Sequence, residues 1–153
     1  MNTNTRDGRA TLRPATDDDV AGIEHLLTAS GLPTSGVADA VCGFLVAEAN
    51  AEIVGVVGME YCGKYGLLRS TAVAPEWRGR GLGRQLVTRI IAEAESRGIN
   101  ALYLLTTTAE SYFPSFGFQT TTRDTVPAEI GDTGEFQGAC PASATVMCLT
   151  LPV

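Results

Sequence analysis

Apolar residues recur at helical spacing near the start of the chain and predict a first helix. The apolar positions between Val20 and Leu27 lie about one turn apart, and Thr16 precedes them with an acid three residues further on, as in a capping box. This helix is expected to run to about Ser30. Two short elements are also expected, a strand at residues 11–13 and a weakly specified helical piece at residues 37–41.

Three longer apolar runs follow and predict neighbouring antiparallel strands. The runs are rich in β-branched residues and are separated by turn-forming segments at residues 49–51 and 62–66. Antiparallel strands can be joined by such short turns. The centre of the sheet is therefore expected at residues 44–48, 53–61 and 67–73.

An amphipathic helix is predicted next, because one stripe of apolar side chains recurs every four residues. The stripe consists of Leu82, Leu86, Ile90 and Ala94. Arg97 and Gly98 follow it, and a cation with a glycine favours the end of a helix. A strand at residues 101–106 should run parallel to residues 67–73, because a whole helix separates the two and allows a right-handed crossover.

The last third of the chain predicts smaller elements. Thr107 and Glu110 indicate the cap of a helix that Gly117 would end. Turn-forming residues dominate much of the segment that follows. The remaining expected elements are strands at residues 119–123 and 144–151, with one short helix at residues 127–130.

The length and hydropathy of the chain fit one folded domain. A chain of 153 residues with 44% hydrophobic content is long enough to bury a single core. We expect a disordered tail at residues 1–10 and one domain at residues 11–153. No apolar run reaches the ~20 residues that a membrane helix needs, and the polar start lacks a signal-peptide core. These features predict a cytoplasmic protein without membrane contact.

Charge and cysteine usage exclude further classes of protein. The formal net charge of −6 and the isoelectric point near 4.7 argue against nucleic-acid binding, because the average surface would repel phosphates. The four cysteines show no paired or zinc-like spacing, and His25 is the only histidine. No metal site is predicted, and the favoured interpretation of the cysteines is buried or half-buried free thiols.

The segment between the third central strand and the amphipathic helix carries the clearest chemical pattern. It reads Arg78-Gly-Arg-Gly-Leu-Gly-Arg84. Glycine has no Cβ, so consecutive N–H groups can turn onto a ligand, and the helix start adds unpaired amides and the positive end of its dipole. The pattern predicts a phosphate site that matches neither the dinucleotide nor the Walker motif. A solvated turn is the alternative.

This loop, with the strand before it, resembles the GCN5-related N-acetyltransferase (GNAT) family. That family's motif is [Q/R]-x-x-G-x-[G/A] after a hydrophobic-Ala-Val-x-Pro run, and Ser70-Thr-Ala-Val-Ala-Pro-Glu-Trp-Arg-Gly-Arg-Gly-Leu-Gly83 reproduces it. The resemblance continues through residues 102–118 and covers residues 12–151. It implies an α/β (α+β) GNAT fold, with a mixed, mostly antiparallel twisted sheet of six to seven strands flanked by about four helices.

The resemblance also implies acetyl-CoA as co-substrate, a small-molecule amine as acceptor and no metal. The acetyl group would move by direct attack of the amine in a ternary complex. In the family, the end of the strand holds the pantetheine arm and polarises the acetyl carbonyl, while loop amides hold the pyrophosphate. The resemblance is also compatible with a homodimer. The cofactor-binding residues that it implies are Thr71, Ala72, Val73, Arg78, Gly79, Arg80, Gly81, Leu82, Gly83, Arg84 and Phe113.

The catalytic groups are less well defined by the resemblance. Many relatives place a tyrosine, the acid for the leaving thiolate, four residues before the closing glycine, where this chain has Phe113. Tyr112 stands one position earlier, about 100° around a helix. It is the candidate acid, and departure of the thiolate without an acid is the alternative. Glu60 is the candidate base by position, and a solvent-facing glutamate is the other interpretation.

Arg69 stands out because its strand is otherwise apolar. A buried guanidinium is costly unless an anion meets it. That anion is either a carboxylate on the acceptor or a structural partner such as Glu48 or Glu60. Strand alternation places Arg69 on the same face as Thr71, beside the expected acetyl site. If Arg69 binds the acceptor, that acceptor is a small, amino-acid-like amine.

A narrower resemblance bears on the acceptor. Residues 103–113 and 140–144 look like short acetyltransferases associated with arsenic-resistance operons, and more distantly like amino-acid N-acetyltransferases. Binding of trivalent arsenic by Cys62 or Cys140 is a weaker hypothesis. Two functions follow from the sequence, an N-acetyltransferase and, as the alternative, a non-catalytic acyl-CoA-binding sensor module. Phe113 supports the sensor alternative, because it stands where many relatives have the catalytic tyrosine. Release of free thiol with a panel of amines distinguishes the enzyme from the sensor.

Overall fold

The fold is described from a computed structural model, which covers residues 9–107, 109, 111–134, 136–137 and 143–152. Most of the predicted tail therefore lies outside the described residues. The helices are α1 Val20–Ala29, α2 Val37–Ala40, α3 Leu82–Ser96 and α4 Ala128–Gly131. The strands are β1 Thr11–Pro14, β2 Leu45–Ala49, β3 Glu52–Cys62, β4 Tyr65–Val73, β5 Ala101–Thr106, β6 Gln119–Thr121 and β7 Thr145–Thr150.

The strands form one mixed sheet in the order β1-β2-β3-β4-β5-β7-β6. The pairs β1–β2, β2–β3, β5–β7 and β6–β7 are antiparallel, whereas β4 and β5 are parallel, with Tyr65 opposite Ala101. The parallel pair confirms the prediction that the amphipathic helix is a crossover. The sequence did not predict that β7 would lie between β5 and β6. The predicted fold class is confirmed.

Internal contacts group the described residues into two units. The first unit takes the described residues up to Gly58 together with Ser70–Ile90. Its interior contains fully buried side chains from α1, α2, β3 and α3. Those side chains include Ile23, Leu27, Val37, Val56, Val57 and Leu86.

One polar network ties the start of the first unit together. Arg13 donates from two nitrogens to the carboxylate of Asp19, at 2.8 and 2.9 Å, and from Nε to Glu48 Oε1 at 2.8 Å. The backbone N–H of Thr16 donates to Asp19 Oδ2, also at 2.8 Å, as expected for the acid of a capping box. The hydrogen bonds from Arg13 lower the pKa of Asp19 to about 2.

The second unit takes Met59–Arg69 together with the described residues from Ile91 onward. Its core joins β4, β5 and α4 through Leu67, Ala101, Tyr103 and Ile130. The half-buried side chains packed against that core are Cys62, Tyr65, Val126, Phe136 and Cys148. Burial, followed by a hydrogen bond with Cys148, raises the pKa of Tyr103 to about 12, so its phenol stays neutral in this core.

The predicted apolar stripe of α3 is confirmed, because Leu82, Leu86, Ile90 and Ala94 are all buried. Gly98 follows the helix with φ +75°, and the N–H of Ile99 donates to the carbonyl of Ala94 at 3.1 Å. A left-handed glycine followed by such a bond ends many helices. The stop signal in the sequence is therefore also confirmed.

The α-helix predicted between Thr107 and Gly117 is wrong in its described part. That part contains a single 3₁₀ turn at Phe113–Phe116, which ends at Gly117 with φ +102°. Proline lacks an N–H and disfavours α-helical backbone at the residue before it, so Pro114 opposes an α-helix through Phe113. Glu110, the proposed capping acid, lies outside the described residues.

Candidate functional site

The predicted phosphate loop lies in the first unit, between the end of β4 and the start of α3. Gly79 and Gly81 both have left-handed backbone, with φ +79° and +82°. A Cβ placed on either residue would meet no other atom within 4 Å. Glycine thus provides a backbone conformation that other residues rarely adopt, and it leaves open space beside the chain. This cradle fits a phosphate group next to the N-terminus of α3.

The arginines of the loop do not share one environment. Arg78 donates from Nε to the carbonyl of Val73 at 3.0 Å, which ties the start of the loop to the end of β4. Arg80 places its guanidinium carbon 4.7 Å from the centroid of the Trp77 ring. Arg84 is exposed in the first turn of α3. Arg78 thus anchors the start of the loop to the protein's own backbone, whereas Arg80 contacts an aromatic ring.

The strand residues expected to hold the pantetheine arm are partly buried. Ala72 is buried, whereas Thr71 and Val73 are half-buried. Ser70, just before them, has φ +59°, which is unusual for a residue other than glycine and marks a local break in a strand. The regular alternation of side chains between the two faces of a strand is interrupted at such a residue. Alternation therefore does not place Arg69 and Thr71 on the same face of β4.

Arg69 and Glu60 form an ion pair in the second unit. Arg69 Nη1 donates to Glu60 Oε2 at 2.6 Å, and the side chains are 1% and 20% exposed. Of the two structural partners expected for Arg69, Glu60 is the one found, and Glu48 is bound to Arg13 instead. Glu60 is therefore not a freely solvated carboxylate, and any acceptor carboxylate at Arg69 would share the guanidinium with Glu60.

Cys62 lies near the same carboxylate. Its thiol donates to the backbone carbonyl of Glu60 at 3.7 Å. Burial, followed by the charges of Glu60 and Glu129, raises the pKa of Cys62. A thiol with a raised pKa remains protonated near neutral pH, and the thiolate is the reactive form. Cys62 is thus a poor nucleophile in this environment.

The aromatic residues expected near the leaving thiolate pack together in the second unit. Phe113 is buried and lies with its ring centroid 5.2 Å from that of Tyr112 and 5.8 Å from that of Phe118. Tyr112 is half-buried. Phe113 has no hydroxyl group, so Tyr112 is the member of this cluster that can supply a proton.

Within the described part of the chain, no group of histidine, cysteine and acidic side chains is arranged to hold a metal ion. None of the helices among the described residues is both long and apolar enough to cross a membrane.

A sequence model described as an acetyltransferase (GNAT) domain matches residues 40–120, just over half of the chain. The chain belongs to the GNAT family. The matched range contains β2 to β5, the loop, α3 and the turn at Phe113–Phe116, so it includes the candidate cofactor-binding, catalytic and acceptor-binding residues. The family suggested by the loop motif is therefore confirmed.

Curated relatives of this GNAT chain include an amino-acid acetyltransferase of Ralstonia nicotianae, which is 33% identical over 127 residues. That match covers 77% of this chain and 28% of the relative. An uncharacterised N-acetyltransferase of Chlorobaculum tepidum is 30% identical over 88 residues, covering 57% of this chain and 56% of that protein. The chain thus spans less than two thirds of these relatives.

Among solved structures, the GNAT chain is similar to N-acetylglutamate synthase of Neisseria gonorrhoeae complexed with coenzyme A and N-acetyl-glutamate. The TM-score is 0.80 at 22% identity, and the match covers 95% of this chain and 36% of the synthase. At that identity the likeness establishes the fold. Coenzyme A and N-acetyl-glutamate are ligands of the synthase structure, and the similarity in fold does not assign them to this chain.

Three features of this GNAT domain escaped the sequence analysis. Trp77 was present in the quoted motif, and its place three residues before Arg80 was the signal for a ring contact. Ser70 carried no signal, because serine rarely adopts left-handed backbone. The pairing of Arg69 with Glu60 was only one of the alternatives, since sequence spacing does not set the register of two strands.

Proposed function

We propose that this GNAT domain transfers an acetyl group from acetyl-CoA to the amine of a small acceptor. The observation that carries the proposal is the loop, where two left-handed glycines with open space beside them precede the start of α3. Backbone amides and a helix N-terminus suit the pyrophosphate of coenzyme A. A family whose members are named acetyltransferases supports the same conclusion.

Acetyl-CoA supplies an activated thioester carbonyl when it is bound. In the proposed reaction the amine nitrogen forms a bond to that carbon, the carbon–sulfur bond then breaks, and the thiolate leaves with the bonding electrons. We assign the stabilisation of the oxyanion to backbone amides at the end of β4, around residues 71–73. Glu60 is the proposed base for the amine proton, and Tyr112 is the proposed acid for the thiolate.

We further propose that the acceptor carries a carboxylate and resembles an amino acid. Arg69 supports this, because a guanidinium that is 1% exposed needs negative charge around it, and one carboxylate already contacts it. Relatives named amino-acid acetyltransferases support it as well. Arg69 would then bind the acceptor carboxylate beside Glu60. Cytoplasmic location, a homodimer and an association with arsenic resistance stay predictions from the sequence.

The second candidate function is an acyl-CoA sensor without catalysis. Phe113 favours it, because this buried residue stands where many relatives have the tyrosine that acts as acid. A sensor would bind acetyl-CoA through the same loop but would not turn it over.

Release of free thiol from acetyl-CoA tests both proposals. Each amino acid of a panel is compared with the amine that has the same side chain but no α-carboxylate. The enzyme proposal expects acceptor-dependent thiol release, and the acceptor proposal expects higher kcat/KM for the carboxylate-bearing member of each pair. Tight binding of acetyl-CoA without thiol release for any amine would instead support the sensor.

A further inference from the structure

Trp77 and Arg80 form a cation–π pair at the edge of the phosphate loop. The guanidinium carbon of Arg80 lies 4.7 Å from the centroid of the indole ring. Arg80 is otherwise exposed, whereas Trp77 is only 9% exposed. The buried indole ring can therefore hold the exposed guanidinium in place through a cation–π attraction.

Trp77 is itself fixed by backbone hydrogen bonds to the sheet. Its N–H donates to the carbonyl of Ala74 at 2.8 Å, and the N–H of Ala74 donates to the carbonyl of Val54 in β3, also at 2.8 Å. A short chain of contacts thus leads from β3 to the indole ring and from the ring to Arg80. All of these residues belong to the first unit.

A cation–π contact attracts the charge of a guanidinium and leaves its N–H donors available for an anion. The group has five N–H donors in one plane, and their fork geometry matches two phosphate oxygens. Arg78 differs, because its Nε is already bound to the carbonyl of Val73. Arg80 also lies between the two left-handed glycines that open the backbone cradle.

We propose that Trp77 is a positioning residue that holds Arg80 in place for the pyrophosphate of coenzyme A. This inference rests on the proposed use of acetyl-CoA. It separates the three loop arginines by role, since Arg78 braces the loop against β4 and Arg80 contacts the ligand. Trp77 contributes through Arg80.

Calorimetric titration with coenzyme A and with dephospho-coenzyme A, which keeps the pyrophosphate, tests the role of Arg80. Arg80→Gln should weaken binding of both ligands equally, by about tenfold or more, because a charge-assisted contact is lost. The control is Arg89→Gln, which removes an exposed arginine further along α3 and should change neither affinity. A loss confined to coenzyme A would place the contact at the 3′-phosphate and overturn the pyrophosphate assignment.

The positioning role of Trp77 is tested by its coupling to Arg80. Trp77→Leu should weaken binding of coenzyme A by about two- to fivefold when Arg80 is present and not at all in the Arg80→Gln background. Trp77→Phe keeps an aromatic face and should restore most of the loss. Equal losses in both backgrounds would show that Trp77 only supports the fold, and the proposal would fail.

Fluorescence of Trp77, the only tryptophan in the chain, gives a second readout, because emission should change when coenzyme A binds. If the wild-type protein bound no coenzyme A by either method, the proposed function would fail and this inference with it. If the wild type bound and Arg80→Gln bound equally well, only this inference would fail.

Discussion

Arg69 and Glu60 are nine positions apart in the sequence and meet at 2.6 Å, with the arginine side chain 1% exposed. This contact makes Arg69 a structural residue as well as a candidate for acceptor binding. Removing one member of a buried ion pair leaves the other charge uncompensated, which is typically more costly than removing both. The two roles of Arg69 therefore need separate measurements.

The structural role predicts a difference between single and double variants. Arg69→Met should lower the free energy of unfolding by about 3 kcal/mol, because the largely buried carboxylate of Glu60 loses its partner. Arg69→Met combined with Glu60→Leu should recover part of that loss. Urea unfolding at pH 7 measures both. A double variant as unstable as the single one would show that the ion pair is not the cause.

The acceptor role predicts a selective loss of activity. Arg69→Ala should lower kcat/KM by about 10- to 150-fold for carboxylate-bearing acceptors and hardly at all for the matched amines without a carboxylate. Both classes are assayed on the same preparation, so any loss of folded protein affects them equally. Equal losses for both classes would leave Arg69 with its structural role only.

The glycine cradle predicts that coenzyme A binding depends on Gly81. Gly81→Val should weaken binding of acetyl-CoA at least about tenfold, because a β-branched residue is strained in left-handed backbone and its side chain fills the open space. Gly98→Val is the matched control, since Gly98 has φ +75° and equally open surroundings at the end of α3. Unchanged affinity for Gly81→Val by calorimetry would remove the main support for the proposed function.

The proposed role of Tyr112 as general acid predicts that its removal lowers kcat. Tyr112→Phe should lower kcat by roughly 100-fold with little change in KM, because loss of a general acid acts on the chemical step. Phe113→Tyr is the companion variant and should leave kcat unchanged or raise it, since Phe113 has no proton to give. A loss below about threefold for Tyr112→Phe would indicate that the thiolate leaves without an acid.

The network at the start of the first unit predicts a pH-dependent contribution to stability. The pKa of Asp19 is about 2 in the folded chain, below the ordinary value for aspartate, so its contribution is present above about pH 4 and is lost as the pH falls towards 2. Arg13 is 34% exposed, which screens the pair. Asp19→Asn should therefore cost about 1 kcal/mol at pH 7.

Chemical unfolding at several pH values tests this prediction. The difference in free energy of unfolding between wild type and Asp19→Asn should shrink between about pH 4 and pH 2. Asp18→Asn changes an exposed neighbouring acid and should cost little at any pH. A difference that stayed constant down to pH 2 would mean that the charge of Asp19 does not carry the effect.

The local sequence pattern was sufficient to predict most of the helices and strands. The apolar stripe of α3 predicted the buried positions from Leu82 to Ala94, and the stop signal at Gly98 was correct, because helical spacing and left-handed glycine are properties of neighbouring residues. The intervening helix also predicted the parallel pairing of β4 with β5. The loop motif predicted the family in the same way, since its glycines and arginines are consecutive.

The 3₁₀ turn at Phe113–Phe116 shows where local signals compete. A capping pattern and a terminal glycine favoured a helix, and Pro114 opposed it. The backbone of Ser70 is left-handed although serine has no preference for that region. The turn thus follows the local signal of the proline, whereas no signal in the sequence predicts the backbone of Ser70.

The partners of buried charges were decided only by the tertiary structure. Arg69 could have paired with Glu48 or with Glu60, and the pairing with Glu60 depends on which residues of the neighbouring strands β3 and β4 lie close together. The insertion of β7 between β5 and β6 and the approach of Arg80 to Trp77 are of the same kind. Sequence periodicity reports which side chains are buried, whereas register and crossing geometry, set by the packing of the whole chain, determine which side chains meet.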